Sequence, residues 1–90
     1  MDQLDLFTAG AGTWAMRTRT LANRSPCDDQ EAALRVAAVQ FDSAAEYLAH
    51  GDTASARTAL RAAHNYAASE EGCAPRVAAA ASSLLAGLTT

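Results

Sequence analysis

Residues 46–57 read Glu-Tyr-Leu-Ala-His-Gly-Asp-Thr-Ala-Ser-Ala-Arg and mark a sharp reversal of the chain. Gly51 can adopt the left-handed conformation that ends a helix, and His50 suits the last turn or the cap before it. Asp52 or Thr53 can then cap a following helix through its side-chain oxygen. Small and apolar residues recur every three or four positions on both sides, so this stretch predicts a tight antiparallel pair of helices.

The other helix boundaries carry similar signals. Ser25-Pro26 predicts a helix start, because serine caps helices and proline suits the first helical position. Gly72 predicts the end of the third helix, and Pro75 opens the last one. An all-α domain follows, a small bundle of three or four helices built around the hairpin. The predicted helices cover residues 13–23, 26–49, 53–70 and 76–86.

The predicted core comes from one apolar stripe on each helix. In the second helix, Leu34, Phe41 and Leu48 are seven residues apart and point to one face. The stripes are otherwise rich in alanine, so the helices can approach closely and few large side chains fill the space between them. The remaining stripe residues are Ala37, Ala38, Ala44 and Ala45, then Ala56, Leu60, Ala63 and Ala67, then Val77, Ala81, Leu84 and Leu88.

Composition restricts the class of protein. Ninety residues suffice for one domain, and the net charge of -3 gives no signature of a protein that binds phosphate backbones. All seven basic residues are arginine, and this lysine-free, alanine-rich composition is typical of a GC-rich bacterial, phage or plasmid genome. Neither a secretory signal nor an apolar run near the ~20 residues of a membrane span is visible, which predicts a cytoplasmic protein.

The hairpin resembles a single tetratricopeptide-type repeat over residues 37–70. The residues that carry the resemblance are Ala44, Tyr47, Gly51, Ala56, Leu60 and Ala63. Gln40, Ser43 and Ala68 depart from the pattern of that family. The sequence holds one copy, and such repeats need neighbours to bury a core, so the resemblance implies helical-hairpin packing rather than a peptide-binding solenoid.

The segment Gln3-Leu4-Asp5-Leu6-Phe7 places three large apolar side chains close together near the start of the chain. It resembles the linear motif with which bacterial proteins dock on the β sliding clamp of the replisome, and it agrees with that consensus at all five positions. The resemblance implies that Leu6 and Phe7 enter a hydrophobic subsite of the clamp. It also implies that Gln3 fixes the register of the peptide through hydrogen bonds.

Residues 1–12 are accordingly predicted to form a flexible docking tail in front of a helical domain over residues 13–90. The stretch Thr-Ala-Gly-Ala-Gly at 8–12 reads as a flexible tether. A structural alternative is open at this point. Leu4 and Phe7 are three residues apart on one helical face, and the segment can instead close over the bundle.

Arg17, Arg19 and Arg24 form the one basic cluster of the sequence, with Trp14 nearby. Arginine beside an aromatic ring suits a weak contact with nucleic acid, which makes these arginines candidate DNA-contacting residues. In an acidic protein the same cluster also suits a solvated helix face. Trp14 is expected to pack on the bundle, because large aromatic side chains dominate small cores.

The sequence predicts no catalytic site, no cofactor and no metal site. Asp28, Asp29 and Glu31 suit a first helical turn, where they face the positive end of the helix dipole rather than a metal ion. His64 lies beside the apolar stripe of its helix and reads as a structural, partly exposed histidine. No serine or cysteine stands in a local context typical of nucleophilic catalysis.

Cys27 and Cys73 are too few for a disulfide framework or a zinc site. Counting back from the turn at ~1.5 Å per residue brings them within about one helical turn of each other, so a disulfide is geometrically conceivable. In a reducing cytosol the sequence instead favours two small thiols that are buried or half-buried.

The leading hypothesis is a non-enzymatic adaptor or modulator that docks on the sliding clamp through residues 3–7, recruiting a partner or blocking the clamp pocket. The alternative is a small helical interaction protein of a phage or other mobile element, such as an inhibitor of a host defence system, in which those residues are structural. Self-association through Leu84, Leu85 and Leu88 is also expected, because a thin core leaves a lone monomer only marginally stable.

Overall fold

A computed structural model describes residues 3–89, except for the side chains of Gln3 and Thr89. Four α-helices span most of this range, and no strand occurs within it, so the predicted all-α fold is confirmed. None of the helices between residues 3 and 89 is both long and apolar enough to cross a membrane. The helices are α1 (Gln3–Asn23), α2 (Asp28–Ala49), α3 (Thr53–Ala68) and α4 (Pro75–Thr89).

Each helix packs against the next one in the chain, and α1 also touches α4, which closes an elongated bundle of 39 × 18 × 17 Å. The largest fully buried side chains are Phe41, Leu34, Leu60 and Val77. Most of the remaining core is alanine, as the stripes predict. Thr18 is the one buried polar residue recorded among the described residues, and its hydroxyl donates to the Trp14 carbonyl at 2.6 Å.

The α2–α3 turn forms as predicted. His50 is the C-cap of α2, and Gly51 follows it with a φ of 78°. Asp52 caps α3, because its carboxylate accepts the backbone N–H of Ser55 at 3.0 Å. Hydrogen bonds from the Ser55 hydroxyl and backbone N–H lower the pKa of Asp52 below its ordinary value of 3.8.

The start of α2 differs from the prediction by two residues. The helix begins at Asp28, and Cys27 rather than Ser25 is its N-cap, with the thiol accepting the Gln30 N–H at 3.4 Å. The Ser25 hydroxyl instead donates backwards to the Leu21 carbonyl at 3.0 Å, so it extends the end of α1 rather than capping α2.

The largest correction concerns the N-terminal segment. The structure has α1 beginning at Gln3, not at Thr13, so the predicted start of the first helix is wrong and residues 3–12 are helical. Met1 and Asp2, the first residues of the predicted tail, lie outside the described residues. Tertiary packing supports this helix, because Ala11 is fully buried and Leu4 and Phe7 pack against the core.

A close approach between Phe7 and Gly87 explains why this end of α1 is held. A methyl group added at Gly87 would overlap the ring of Phe7, so only glycine lets α4 pass this near to α1. Gly10 and Gly12 weaken the helix intrinsically by ~1 kcal/mol each relative to alanine. Packing of Leu4, Phe7 and Ala11 on the core offsets that weakness.

Candidate interaction surface

The side chains of the predicted docking motif point in different directions from α1. Leu4 and Phe7 are half-buried against the core, as the structural alternative expects, whereas Asp5 and Leu6 point outward and Leu6 is 59% exposed. The side chain of Gln3 lies outside the described part of the chain. The resemblance implies that Leu6 and Phe7 enter one hydrophobic subsite of the clamp. In this conformation the two side chains are on different sides of α1.

A second surface was not foreseen from the sequence. The outer sides of α2 and α3 form two hollows, one toward each end of the hairpin, which together are here called the hairpin groove. Its end away from the turn has a volume of about 420 Å³ and is lined by Asp29, Ala32, Ala33, Val36, Asn65, Tyr66, Ser69 and Glu71. Its end near the turn is lined by Gln40, Ser43, Tyr47, Ser55, Thr58, Ala59 and Ala62.

Exposed apolar side chains concentrate on this face. Val36, Tyr47 and Tyr66 line the groove and are all more than a third exposed, and Val39 lies beside it at 53% exposure. Residues at these positions fall off the inward stripes of their helices. An apolar residue away from the stripe is the sequence signal that marks such a surface, and it becomes visible only when the two helices are set side by side.

The groove has a charged end. Asp29 and Glu71 line it, both are exposed, and no ion pair within residues 3–89 involves either of them. Their neighbour Glu31 differs, because it pairs with Arg35 at 2.9 Å. Asp29 and Glu31 stand in the first turn of α2 as predicted, where the helix dipole stabilises them.

The predicted arginine cluster is divided among three environments. Arg19 forms an ion pair with Asp42 of α2. Arg17 lies over the ring of Trp14, with 5.1 Å between the guanidinium carbon and the ring centroid, and Trp14 packs on the core as predicted. Arg24 lines a cavity between the α1–α2 connection and the start of α4. The three guanidinium groups therefore differ in their immediate surroundings, and their contact with nucleic acid stays a prediction.

The histidines serve the bundle. The Nδ1 atom of His64 lies 3.0 Å from the Ala78 carbonyl and 3.0 Å from the Ser82 hydroxyl, so this side chain ties α3 to α4. His50 caps α2 at its exposed end. Within residues 3–89, no group of three histidine, cysteine or carboxylate side chains has a geometry suited to a metal ion.

The cysteines are free and exposed, rather than buried or half-buried. Gln30 connects their surroundings: its backbone N–H donates to Cys27, and its side-chain amide donates to the Gly72 carbonyl at 3.1 Å. Cys73 itself has a φ of 46°, in the left-handed region. The α3–α4 connection is thus fastened to the start of α2 by a glutamine hydrogen bond.

The leucines of α4 partly serve the interior. Leu84, Leu85 and Leu88 are half-buried and pack against the core, so the face predicted for self-association is largely used within the chain.

Comparison with known protein families, with curated proteins and with solved structures finds no match.

Proposed function

We propose that this chain is a non-enzymatic protein-binding module, an adaptor or an inhibitor, that holds a helix of a partner protein in the hairpin groove. The observation that carries the proposal is an alanine-lined furrow flanked by the exposed side chains of Val36 and Tyr66. This is the form of the sequence hypothesis in which residues 3–7 are structural. The half-buried positions of Leu4 and Phe7 support that form.

The floor of the groove favours a helix as its occupant. Ala32, Ala33, Ala59 and Ala62 present only methyl groups, so a partner helix can approach closely and interdigitate with both helices. From residue 29 to residue 47 the groove extends for about 27 Å at the 1.5 Å rise of a helix. A partner helix of about 18 residues matches this length.

The ends of the groove define the anchors. Tyr66 and Tyr47 offer large, rigid rings with a polar tip, the side-chain type that dominates binding energy at protein interfaces. Asp29 and Glu71 add negative charge at one end only. The complementary partner therefore carries an apolar stripe with arginine or lysine at one end, which also fixes the direction in which it lies.

A designed probe tests this proposal. The probe is a fluorescent 18-residue amphipathic helical peptide with a leucine and alanine stripe and two arginines at one end. A matched peptide carries glutamates instead. We expect saturable binding of the first peptide to the full chain and about tenfold weaker binding of the second, because charge complementarity contributes selectivity.

Two variants locate the binding. Tyr66→Ala removes an anchor, and the pair Asp29→Asn with Glu71→Gln removes the charge, so each weakens the arginine peptide while leaving the thermal stability nearly unchanged. Met16→Ala is the control, since Met16 is 69% exposed on α1. Equal affinity for both peptides, or equal loss with Met16→Ala, would refute the groove as the binding surface.

Docking on the sliding clamp is the second candidate function. It is supported by the five-residue match of Gln3-Leu4-Asp5-Leu6-Phe7 and by the outward positions of Asp5 and Leu6. Phe7 must leave Gly87 before it can enter a clamp subsite, so binding requires the first turns of α1 to unwind. The cost of unwinding lowers the affinity tenfold for every 1.4 kcal/mol.

Purified clamp tests this second candidate. If it is right, the peptide of residues 1–12 binds the clamp more tightly than the full chain does, and Leu6→Ala with Phe7→Ala abolishes both interactions. If neither the peptide nor the full chain binds the clamp, docking on the clamp is refuted as a function of this protein. That outcome leaves the hairpin groove untouched, because it involves no residue of the N-terminal motif.

A further inference from the structure

The end of the bundle opposite the α2–α3 turn contains another cavity, of about 360 Å³, between the α1–α2 connection and the start of α4. Leu21, Leu34 and Val77 contribute apolar surface to it. Arg24 and Arg76 also line it. A volume of this size is within the range of small-molecule sites, and an apolar lining with a few convergent polar groups is their usual chemistry.

The two arginines bring like charges to one cavity without a counter-charge. Both are exposed, and neither takes part in an ion pair within residues 3–89. The acidic residues nearest to Arg24 in sequence line other sites: Asp28 lines a shallow site beside Arg35, and Asp29 lines the hairpin groove. On the side of Arg76, Glu71 also lines the hairpin groove, and Glu70 lines the adjoining cavity between α3 and α4. In a chain of net charge -3, this cavity therefore has a local positive charge.

The start of α4 adds to this positive charge. Pro75, Arg76 and Val77 are the first residues of α4 and line the cavity, and the first turn of this helix contains no acidic residue. The positive end of a helix dipole favours a bound anion. The dipole of α4 and the charges of the two arginines therefore have the same sign at this cavity.

The neutral polar side chains of the lining are already engaged as donors. The Gln30 amide donates to the Gly72 carbonyl at 3.1 Å, and the Ser25 hydroxyl donates to the Leu21 carbonyl. The charged side-chain donors that line the cavity are the guanidinium groups of Arg24 and Arg76. A guanidinium group binds the oxygens of carboxylates and phosphates with two parallel hydrogen bonds.

We propose that this cavity binds a small organic anion, with its carboxylate or phosphate group between Arg24 and Arg76 and its apolar group against Leu21, Leu34 and Val77. A ligand needs both an anionic group and an apolar group to bind well in this cavity. An inorganic anion lacks the apolar group, and a neutral analogue lacks the charge. The cavity shares no lining residue with the hairpin groove, so the proposal of anion binding does not depend on the proposed protein-binding function.

Titration of the full chain, followed by backbone amide chemical shifts, tests the proposal with phenylacetate and phenyl phosphate. Phenylacetamide is the neutral control, and inorganic phosphate is the control without an apolar group. We expect saturable shifts at Arg24, Arg76 and Val77 with at least one of the two organic anions. Phenylacetamide binds at least about tenfold more weakly, since a charge-assisted hydrogen bond is roughly twice as strong as a neutral one. Inorganic phosphate also binds at least about tenfold more weakly, because it buries no apolar surface against Leu21, Leu34 and Val77. The stronger of the two anions shows whether the site prefers a carboxylate or a phosphate.

Matched variants separate this site from general electrostatic attraction. Arg24→Gln and Arg76→Gln each reduce affinity several-fold and leave the circular dichroism spectrum and melting temperature unchanged, because both side chains are exposed. Arg61→Gln removes the same charge from α3 and leaves affinity unchanged. Equal binding of phenylacetamide, or equal losses in all three variants, would overturn the proposal, as would the absence of saturable binding by both organic anions.

Discussion

The α2–α3 hairpin and the contact between α1 and α4 are built from different side chains. Inside the hairpin, Phe41, Leu34 and Leu60 are completely or almost completely buried among alanines. Between α1 and α4, the large residues are only half-buried, among them Phe7 and Leu84. The hairpin is therefore a closed core, and the α1–α4 contact is the seam of the bundle that opens most easily.

The largest effect is expected from the centre of the hairpin. Phe41→Ala should lower the free energy of unfolding by ~3–5 kcal/mol, because it removes the largest buried side chain from an interior of small residues that cannot refill the space. Urea denaturation measures this loss. Val39→Ala on the same helix is the control, since Val39 is 53% exposed and should change stability by less than ~0.5 kcal/mol.

The next largest effect is expected at the α1–α4 seam, where the effect of one substitution on stability should change sign with the residue at position 7. Gly87→Ala should destabilise the protein by ~1–3 kcal/mol, because the new methyl group overlaps the Phe7 ring. In a Phe7→Ala background the same substitution has no ring to meet, and the higher helix propensity of alanine should stabilise α4 by up to ~1 kcal/mol. A double-mutant cycle in urea measures both.

The two substitutions are coupled only if the N-terminal turns of α1 lie on α4. Additive effects of Gly87→Ala and Phe7→Ala would show that Phe7 is not packed there. In that case α1 and α4 are less closely packed than the hairpin by a wider margin, and the start of α1 depends on its contacts with the rest of the core.

A smaller effect is expected at the open end of the hairpin. Gln30→Ala removes the hydrogen bond to the Gly72 carbonyl and should cost ~1 kcal/mol. It should also speed amide exchange in the α3–α4 connection without changing exchange at the Gly51 turn. Faster exchange at both ends of the hairpin would mean that the two ends unfold together rather than separately.

The smallest effect concerns the pH dependence of the cap on α3. The pKa of Asp52 is lowered in the folded protein, so its stabilising contribution is present above the ordinary value of 3.8 and is lost as the pH falls through the folded pKa. Asp52→Asn keeps a capping side chain that does not titrate. Between about pH 5 and pH 3, the melting temperature of the wild type should therefore fall more than the melting temperature of this variant.

The sequence predicts the hairpin well because its signals are local. Gly51 ends one helix, Asp52 caps the next, and Phe41 marks an inward stripe without reference to distant residues. The start of α1 is different, since Gly10 and Gly12 read as a tether. Packing of Leu4, Phe7 and Ala11 on the core, which local sequence signals do not reveal, supports the helix there.

Both candidate sites were beyond prediction for a related reason. Periodicity identifies the side of each helix that faces inward, whereas Val36 and Tyr66 lie on outward sides that meet only in the folded hairpin. Arg24 and Arg76 are likewise brought to one cavity by the arrangement of α1, α2 and α4. The resemblance of residues 3–7 to a docking motif gives the chemistry of those side chains but not the direction in which α1 turns them.

Amide hydrogen exchange of residues 7–12 in the full chain tests most directly whether the N-terminal segment belongs to the bundle. We predict exchange within about tenfold of the rates at residues 13–18, because both stretches lie in one helix packed on the same core. Exchange of residues 7–12 at the rate of an unstructured chain, beside a protected 13–18, would contradict this and return residues 3–7 to the role of a free docking peptide.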